Sequence, residues 1–299
     1  VDTWQKLGSP SSFNLTELGP GNGTLMNDLL RAGQTSPDFL KAANVFMVET
    51  SPTLRSRQVQ TCARAFSSIA SVQWLDSIDE LPAGPAIIIG NEFLDVVPFR
   101  QYIKKKNSWH EVGVGLRDDK SLQFTALPRI LDTDLLPPEC ENEPDGAIFE
   151  VAPAREAIID GLAAHISQNS GAALLIDYGH LKSGFGDTFQ AMRNHEFSNP
   201  FLNIGESDLT SHVDFAALRK TIADHKELET TATTQGEFLL EIGLLQRAGM
   251  LGSNKSTDIQ EQISGQVERL AGPEQMGDLF KVFAFATVNE PLLGFSNAS

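Results

Sequence analysis

Several apolar runs in this chain end in groups that can do polar chemistry. Glu17 sits at the end of the run 13–18, just before Gly19-Pro20-Gly21-Asn22-Gly23. Glu49 closes the run 43–48, Asn91-Glu92 closes 85–90, and Asp177-Tyr178 closes 172–176. A carboxylate accepts hydroxyl, ammonium or guanidinium donors. Glycines let backbone approach a ligand where a Cβ would clash, and a helix that follows them offers free N–H groups. The turn lacks the Gly-Lys-Ser/Thr of a phosphate-binding P-loop. It also departs from a dinucleotide fingerprint, because Thr24 stands where the third glycine belongs. A carboxylate two residues before the first glycine is poorly placed for a phosphate. It suits a cationic ligand carrying an amino group. The plain alternative is a tight turn that binds nothing.

These groups need a scaffold, and the pattern supplies one. Leu25, Met26, Leu29 and Leu30 have helical spacing, so the glycine turn joins a strand to a helix. The run 43–49 reads as a second parallel strand whose terminal Glu49 accepts ribose hydroxyls and disfavours a 2′-phosphate. A helix follows over 51–66, with Leu54, Gln58, Cys62 and Ala65 on one side, Ser51 or Thr50 as cap and Pro52 in its first turn. A third strand over 72–75 offers Leu75 as an apolar wall and Asp76 as a polar contact for an adenine. The continuous apolar run 85–90 suits a strand covered on both faces. Ligands of open α/β sheets sit at strand carboxyl ends, so Asn91 and Glu92 open on the crevice of Glu17 and Glu49. A helix over 154–167, a fifth strand over 172–179, a strand over 226–233 and a last strand over 281–288 complete the sheet.

Other segments interrupt this frame. Residues 100–116 alternate like an antiparallel hairpin, with Lys104-Lys105-Lys106 in or near a solvated turn. Residues 132–146 read as a surface loop. Residues 184–209 lack periodicity, which suggests a lid or binding loop with Arg193 and His195 as its chemical candidates. Ser211 and Asp214 read as a helix cap. His212 and Asp214 have no third ligand nearby, so a metal pair is rejected. One helix is expected over 235–251, another over 258–270 and a helical turn over 273–279.

The chain has 299 residues, which suits one large α/β domain with insertions. No stretch is apolar enough to span a membrane, and residues 1–4 do not read as a signal peptide. Cys62 and Cys140 make no framework, and free thiols fit a reducing compartment. A net charge of −16 repels nucleic acid and anionic membranes, and favours a basic partner. Simple solubility also accounts for it.

The acidic-x-Gly-x-Gly-x-Gly spacing from Glu17 resembles motif I of class I S-adenosylmethionine (SAM) methyltransferases. Residues 17–25, Asn91 to Pro98, Ile176 to Gly179, Gly186 to His195, Asp208 to Phe215, Thr234 to Leu239 and Gln275 to Lys281 together resemble the MidA family. That family includes the mitochondrial complex I assembly factor. The resemblance implies an α/β, Rossmann-like, seven-stranded class I fold over 1–299. Insertions are then expected at 98–146, 180–212 and 235–280. It implies SAM as cofactor, S-adenosylhomocysteine as product and, for the mitochondrial member, arginine methylation of a complex I subunit. The location would be cytoplasmic in a bacterium or the mitochondrial matrix in a eukaryote. The oligomeric state, a dimer among the options, stays open. The family also carries a segment before the first strand that helps wall the SAM pocket. It is not among these residues, so either a longer parent chain or a more open pocket is expected.

On this reading Glu17, Gly19, Pro20, Gly21, Gly23, Glu49, Leu75, Asp76 and Asn91 hold SAM. Methyl transfer needs orientation more than a covalent catalyst. An arginine acceptor stays protonated, so carboxylates must hold it. Glu92 is the first choice, with Asp95 or Asp177 second. Tyr178, Arg193, His195 and His212 are candidates for substrate contact. A small-molecule methyltransferase and a SAM-binding assembly factor without turnover are the competing expectations.

Overall fold

The computed structural model describes residues 1–296 apart from 68, 70, 194, 195, 203 and 289, and omits the side chain of residue 139. Helix α1 (Asp2–Lys6) precedes strand β1 (Phe13–Leu18). The glycine turn leads into α2 (Thr24–Gly33), then α3 (Pro37–Ala42) and β2 (Ala43–Val48). Next come α4 (Pro52–Phe66), β3 (Ser71–Leu75) and β4 (Ala86–Asn91). The Ser51 hydroxyl accepts the Leu54 N–H at the start of α4, and Pro52 occupies its first turn.

The first insertion is larger than the expected hairpin. Strands β5 (Arg100–Lys105), β6 (Ser108–Leu116), β7 (Leu122–Ile130) and β8 (Ile148–Val151) form a four-stranded antiparallel sheet ordered β7-β6-β5-β8. The hairpin β5-β6 is only its centre. A register shift between His110 and Val112 disturbs the β6-β7 pairing, and Pro128 and Arg129 interrupt the apolar alternation of β7. The expected loop 132–146 contains two 3₁₀ turns, Thr133–Leu135 and Pro138–Asn142.

Helix α5 (Pro153–Asn169) leads to β9 (Gly171–His180). The stretch read as irregular holds β10 (Gln190–Arg193), β11 (Glu196–Phe197) and β12 (Asp208–Thr210), a small antiparallel sheet ordered β11-β10-β12. Strands this short are below the length at which alternation can be read. Strand β13 (Val213–Asp214) lies parallel to the end of β9. Then follow α6 (Phe215–Ile222), β14 (Glu229–Thr234), α7 (Gln235–Glu241) and α8 (Leu244–Gly252). The expected single helix over 235–251 is broken at Gly243, which has φ +98°. Helices α9 (Thr257–Ala271) and α10 (Met276–Leu279) precede β15 (Phe280–Ala286).

The central sheet runs β14-β15-β9-β4-β1-β2-β3, and β13 pairs with β9 beside it. Strands β3, β2, β1, β4 and β9 are parallel, and β15 is antiparallel to both of its neighbours. This is the mixed α/β, mostly parallel frame expected. One face packs Leu18, Ile88 and Leu175 against Ile159 and Leu162 of α5 and Phe215 of α6, all 1% exposed or less. Each such side chain contributes about 1.5–3 kcal/mol through burial. On the other face Leu15, Val45 and Met47 meet Met26 and Leu30 of α2 and Phe39 of α3. Over β4 and β9 that second face is only partly covered. Ile87, Ile89 and Leu174 line a cavity of about 550 Å³ with Leu29, Phe238 and Phe295.

The β9–β13 pairing brings the second insertion back to the sheet, and it depends on close approach. A Cβ at Gly179 would lie 2.0 Å from the carbonyl oxygen of Val213. Gly179→Ala is therefore expected to push β13 off β9 and to destabilise the chain by about 1–3 kcal/mol. A drop in the urea midpoint checks this, and an unchanged midpoint would show that the two strands part without penalty.

Candidate active site

The glycine turn leaves β1 and is shaped for an occupant. Gly21 has φ +52°, a conformation that L side chains rarely adopt, and a Cβ there would meet nothing within 4 Å. Gly19 is close-packed instead, since its Cβ would lie 2.9 Å from the Phe93 ring. Thus the loop after β4 abuts the turn after β1. Glu17 is 4% exposed and its Oε2 is buried with no hydrogen-bond partner. Burial pushes its pKa up to about 7, against a hydrogen bond from the Met26 N–H in the first turn of α2. A buried carboxylate with a free oxygen beside an open glycine turn fits the ammonium of a ligand.

Glu49 shares that face of the sheet. Glu17 pairs with Met47, and Glu49 lies two residues further along the same strand direction. The Glu49 carboxylate accepts the Ser51 N–H at 2.8 Å and the Gln58 amide at 3.2 Å. Gln58 is fully buried; its Nε2 also donates to the Gly21 carbonyl at 2.9 Å, and its Oε1 accepts the Trp74 indole N–H at 2.7 Å. One side chain on α4 therefore links the glycine turn, the end of β2 and strand β3. Cys62, one turn further on, donates to the Gly23 carbonyl at 3.2 Å. Gln58 was expected only as part of a helix face. A buried amide within an apolar stripe was the signal of its role.

The two adenine candidates part company. Leu75 is 8% exposed and packs in the core with Leu18 and Val48. Asp76 is exposed and bound at 2.6 Å by Arg55, whose guanidinium also donates to the carbonyls of Glu49 and Leu75.

At the end of β4, Asn91 donates to Glu92 at 3.3 Å. Glu92 is exposed and has φ +48°, a left-handed conformation that costs a non-glycine residue about 1–3 kcal/mol. Its N–H is tied to the Ile176 carbonyl at 2.9 Å. Asp177 is 1% exposed and accepts the N–H groups of Leu94, Asp95 and Tyr178 at 2.9, 3.1 and 3.0 Å. Because Asn91 is level with Ile176, Asp177 points to the opposite face of the sheet. It holds the Glu92–Asp95 loop rather than presenting both oxygens to a substrate. Asp95 is 5% exposed; Oδ2 accepts the Tyr178 hydroxyl at 2.6 Å, and Oδ1 is buried without a partner. Burial raises the pKa of both acids, and the Asp95 charge raises that of Asp177 further.

Arg155 supplies the opposite charge. It is 2% exposed in the first turn of α5, and donates to the carbonyls of Asp95, Ser211 and His212 and to the Ser211 hydroxyl at 3.0, 3.3, 2.7 and 2.6 Å. Ser211, expected as a cap, is thereby a partner of Arg155, and Asp214 alone caps α6 through the Ala217 N–H. Neither Arg155 nor Glu150 of β8, whose charge acts on the Arg155 guanidinium, was singled out from the sequence. An arginine at a helix start opposes the helix dipole, and that misfit was the available clue.

The substrate candidates separate too. Tyr178 and His212 meet edge to face at 5.5 Å beside Asp95. Arg193 lies on β10 in an exposed pair with Glu206 at 2.5 Å. His195 lies outside the described residues. Among the described residues no group of His, Cys, Asp and Glu is arranged to hold a metal.

The raised pKa of Glu17 gives a pH signature. Its neutral form is favoured in the fold, so this contribution is fully present below about pH 4.5 and is lost as pH rises through 7. The stability of the wild type relative to Glu17→Gln should fall by on the order of 3 kcal/mol between pH 4.5 and 7.5. Denaturation at several pH values reads it; a constant difference would mean an ordinary carboxylate. Gln58→Met should weaken S-adenosylhomocysteine binding about tenfold by calorimetry, as expected for losing a buried hydrogen-bonded bridge.

Known proteins resemble this chain over most of its length. The model of a family described as "Putative S-adenosyl-L-methionine-dependent methyltransferase" matches residues 1–234. The mitochondrial protein arginine methyltransferase NDUFAF7 of Xenopus tropicalis is 31% identical over 99% of this chain and 74% of its own length. The Caenorhabditis elegans homologue, also named mitochondrial, is 32% identical over 93% and 68%. A crystal structure from Burkholderia thailandensis bound to S-adenosyl-homocysteine superposes with a TM-score of 0.82 at 25% identity, covering 99% of this chain and 77% of that one. With a family model matched over most of the chain, a matching sheet and relatives over nearly its whole length, the chain belongs to the family of SAM-dependent methyltransferases that includes the protein arginine methyltransferases NDUFAF7.

Proposed function

We propose that this SAM-dependent methyltransferase acts on the guanidinium of an arginine in a protein segment, and that Glu92 holds that guanidinium. The observation that carries the reading is the Glu92 carboxylate. It is the exposed acid at the end of β4, it stands in a left-handed backbone conformation, and the loop bearing it packs on the glycine turn through Phe93. The names of the relatives supply the arginine acceptor.

SAM, when bound, provides an electrophilic methyl on a sulfonium. Glu17, Gly21 and Glu49 would hold its amino and ribose groups, with Gln58 keeping turn and carboxylate at a set spacing. Asn91 stands on the same face as Glu17 and would complete that side. Glu92 accepts two guanidinium N–H groups, localises the positive charge on the far side and leaves one nitrogen free to be aimed. The new C–N bond would form as the S–CH3 bond of the sulfonium breaks and S-adenosylhomocysteine leaves as a neutral thioether, and the adjacent carboxylate would take the extra proton from the nitrogen and pass it to water. Asp177 and Arg155 keep the Glu92–Asp95 loop in place from behind. Tyr178 and Asp95 form the neighbouring wall.

A small nucleophile as acceptor calls for a lid closed over the carboxylates. The 180–212 insertion instead carries Phe197 at 77% exposure. The position of its tip in solvent supports a large acceptor.

Glu92→Gln should leave S-adenosylhomocysteine affinity within a few-fold by calorimetry and cut single-turnover methyl transfer to an arginine peptide by about 100-fold or more. Unchanged turnover would remove Glu92 from the mechanism. A product methylated on lysine would replace the arginine reading.

A further inference from the structure

Asp95 links the two faces of the central sheet. Its N–H donates to Asp177 Oδ2 at 3.1 Å, and its carbonyl accepts Arg155 at 3.0 Å and the Ser211 N–H at 3.2 Å. Its side chain serves the other face, where Oδ2 accepts the Tyr178 hydroxyl at 2.6 Å. Glu17 is level with Ile89, and Asn91 with Ile176. Tyr178, two residues beyond Ile176, therefore stands on the face of Glu17 and Asn91. Burial along β9 alternates accordingly: Leu175, Asp177 and Gly179 are buried, while Ile176 and Tyr178 are half-buried. Glu92 stands at the start of the loop after β4, with its N–H on the Ile176 carbonyl at 2.9 Å. One short loop thus carries the exposed carboxylate and, three residues later, the partner of the Tyr178 phenol.

The phenol is held in one place and in one sense. Its ring meets His212 and Phe280 edge to face, each at 5.5 Å. A tyrosine hydroxyl has one proton to donate and lone pairs with which to accept. Here the proton is committed to Asp95. Burial, and then the hydrogen bond to Asp95, raise the pKa of Tyr178, so the proton stays on the oxygen. The Thr210 hydroxyl is near enough to act on the phenol and can occupy one lone pair. The other is left for a ligand. A half-buried oxygen that can only accept suits a ligand that offers an N–H.

We infer that the Tyr178 phenolic oxygen accepts one N–H of the nitrogen that takes the methyl, and that Asp95 is a positioning residue that keeps the phenol proton turned away from it. The inference rests on the reading of a nitrogen acceptor held by Glu92. Glu92 grips one edge of the guanidinium, and the phenol fixes the direction of the nitrogen left over. No proton passes through Tyr178. The pair also sets specificity, because an acceptor group with no hydrogen to donate meets a lone pair and is disfavoured.

Tyr178→Phe keeps the ring and its edge contacts and removes only the oxygen. Calorimetry should find S-adenosylhomocysteine affinity within a few-fold of the wild type. Single-turnover transfer at saturating concentration of a synthetic arginine peptide should fall about 30-fold, the scale of a hydrogen bond to a charged group. A merely structural phenol would lower cofactor affinity and transfer together, or neither, and either result overturns the inference. Loss of the hydroxyl leaves Asp95 Oδ2 buried without its donor. The variant Tyr178→Phe/Asp95→Leu removes both polar partners and so covers a single variant that fails to fold. It should show the same loss of transfer at the same cofactor affinity, and wild-type transfer in it overturns the inference. A lysine peptide separates this inference from the arginine reading. Wild-type transfer to lysine and not to arginine defeats the arginine reading alone, provided Tyr178→Phe lowers that transfer, because an ammonium also offers an N–H. Equal transfer to arginine by wild type and variant defeats the role of the phenol alone. Transfer to neither peptide overturns both.

Discussion

Arg155 is a cation taken out of water, and the chain around Asp95 and Ser211 is arranged around that fact. A buried guanidinium is tolerated only when its donors and its charge are met. Here three carbonyls and a hydroxyl meet the two Nη groups, Nε stays buried without a partner, and Asp95, Asp177 and Glu150 lie close enough to act on the charge. The carbonyls come from the loop after β4 and from the link between β12 and β13. Satisfying Arg155 thus closes two chain segments onto the start of α5. Asp177 performs the matching task with opposite sign, since it takes three backbone N–H groups at the end of the central strands.

A second polar hub lies beside the glycine turn. Gln58 has no exposed surface, so its amide must be satisfied from within. It finds the Gly21 carbonyl, the Glu49 carboxylate and the Trp74 indole. The two hubs meet where Phe93 fills the space that Gly19 leaves. Side chains in a packed contact cannot shift independently. The placement of Glu92 is therefore tied to the shape of the glycine turn after β1.

The central frame was largely legible. Continuous apolar runs such as 85–90 and the acidic residues that end them located the parallel strands and their carboxyl ends. Glu17, Glu49 and Asn91 do share one face, because alternation along paired strands carries position into direction. The insertions were legible only in part. In β6-β7 a register shift disturbs the pairing, and β10 to β12 are too short for alternation to stand out. The break at Gly243 was hidden because the apolar spacing on either side still suits one helix.

By itself, then, the order of residues determined which strands are covered on both faces, where the glycine turn falls and which acids end the strands. Those are local properties of period, backbone freedom and polarity. Only the tertiary structure decided which acids remain available. Asp177 and Glu92 look alike in sequence, each following an apolar run. One faces a layer of helices and is consumed by backbone N–H groups, while the other faces solvent. That difference arises from which side of the sheet α5 packs on and from which buried cation it brings, and no local pattern encodes either.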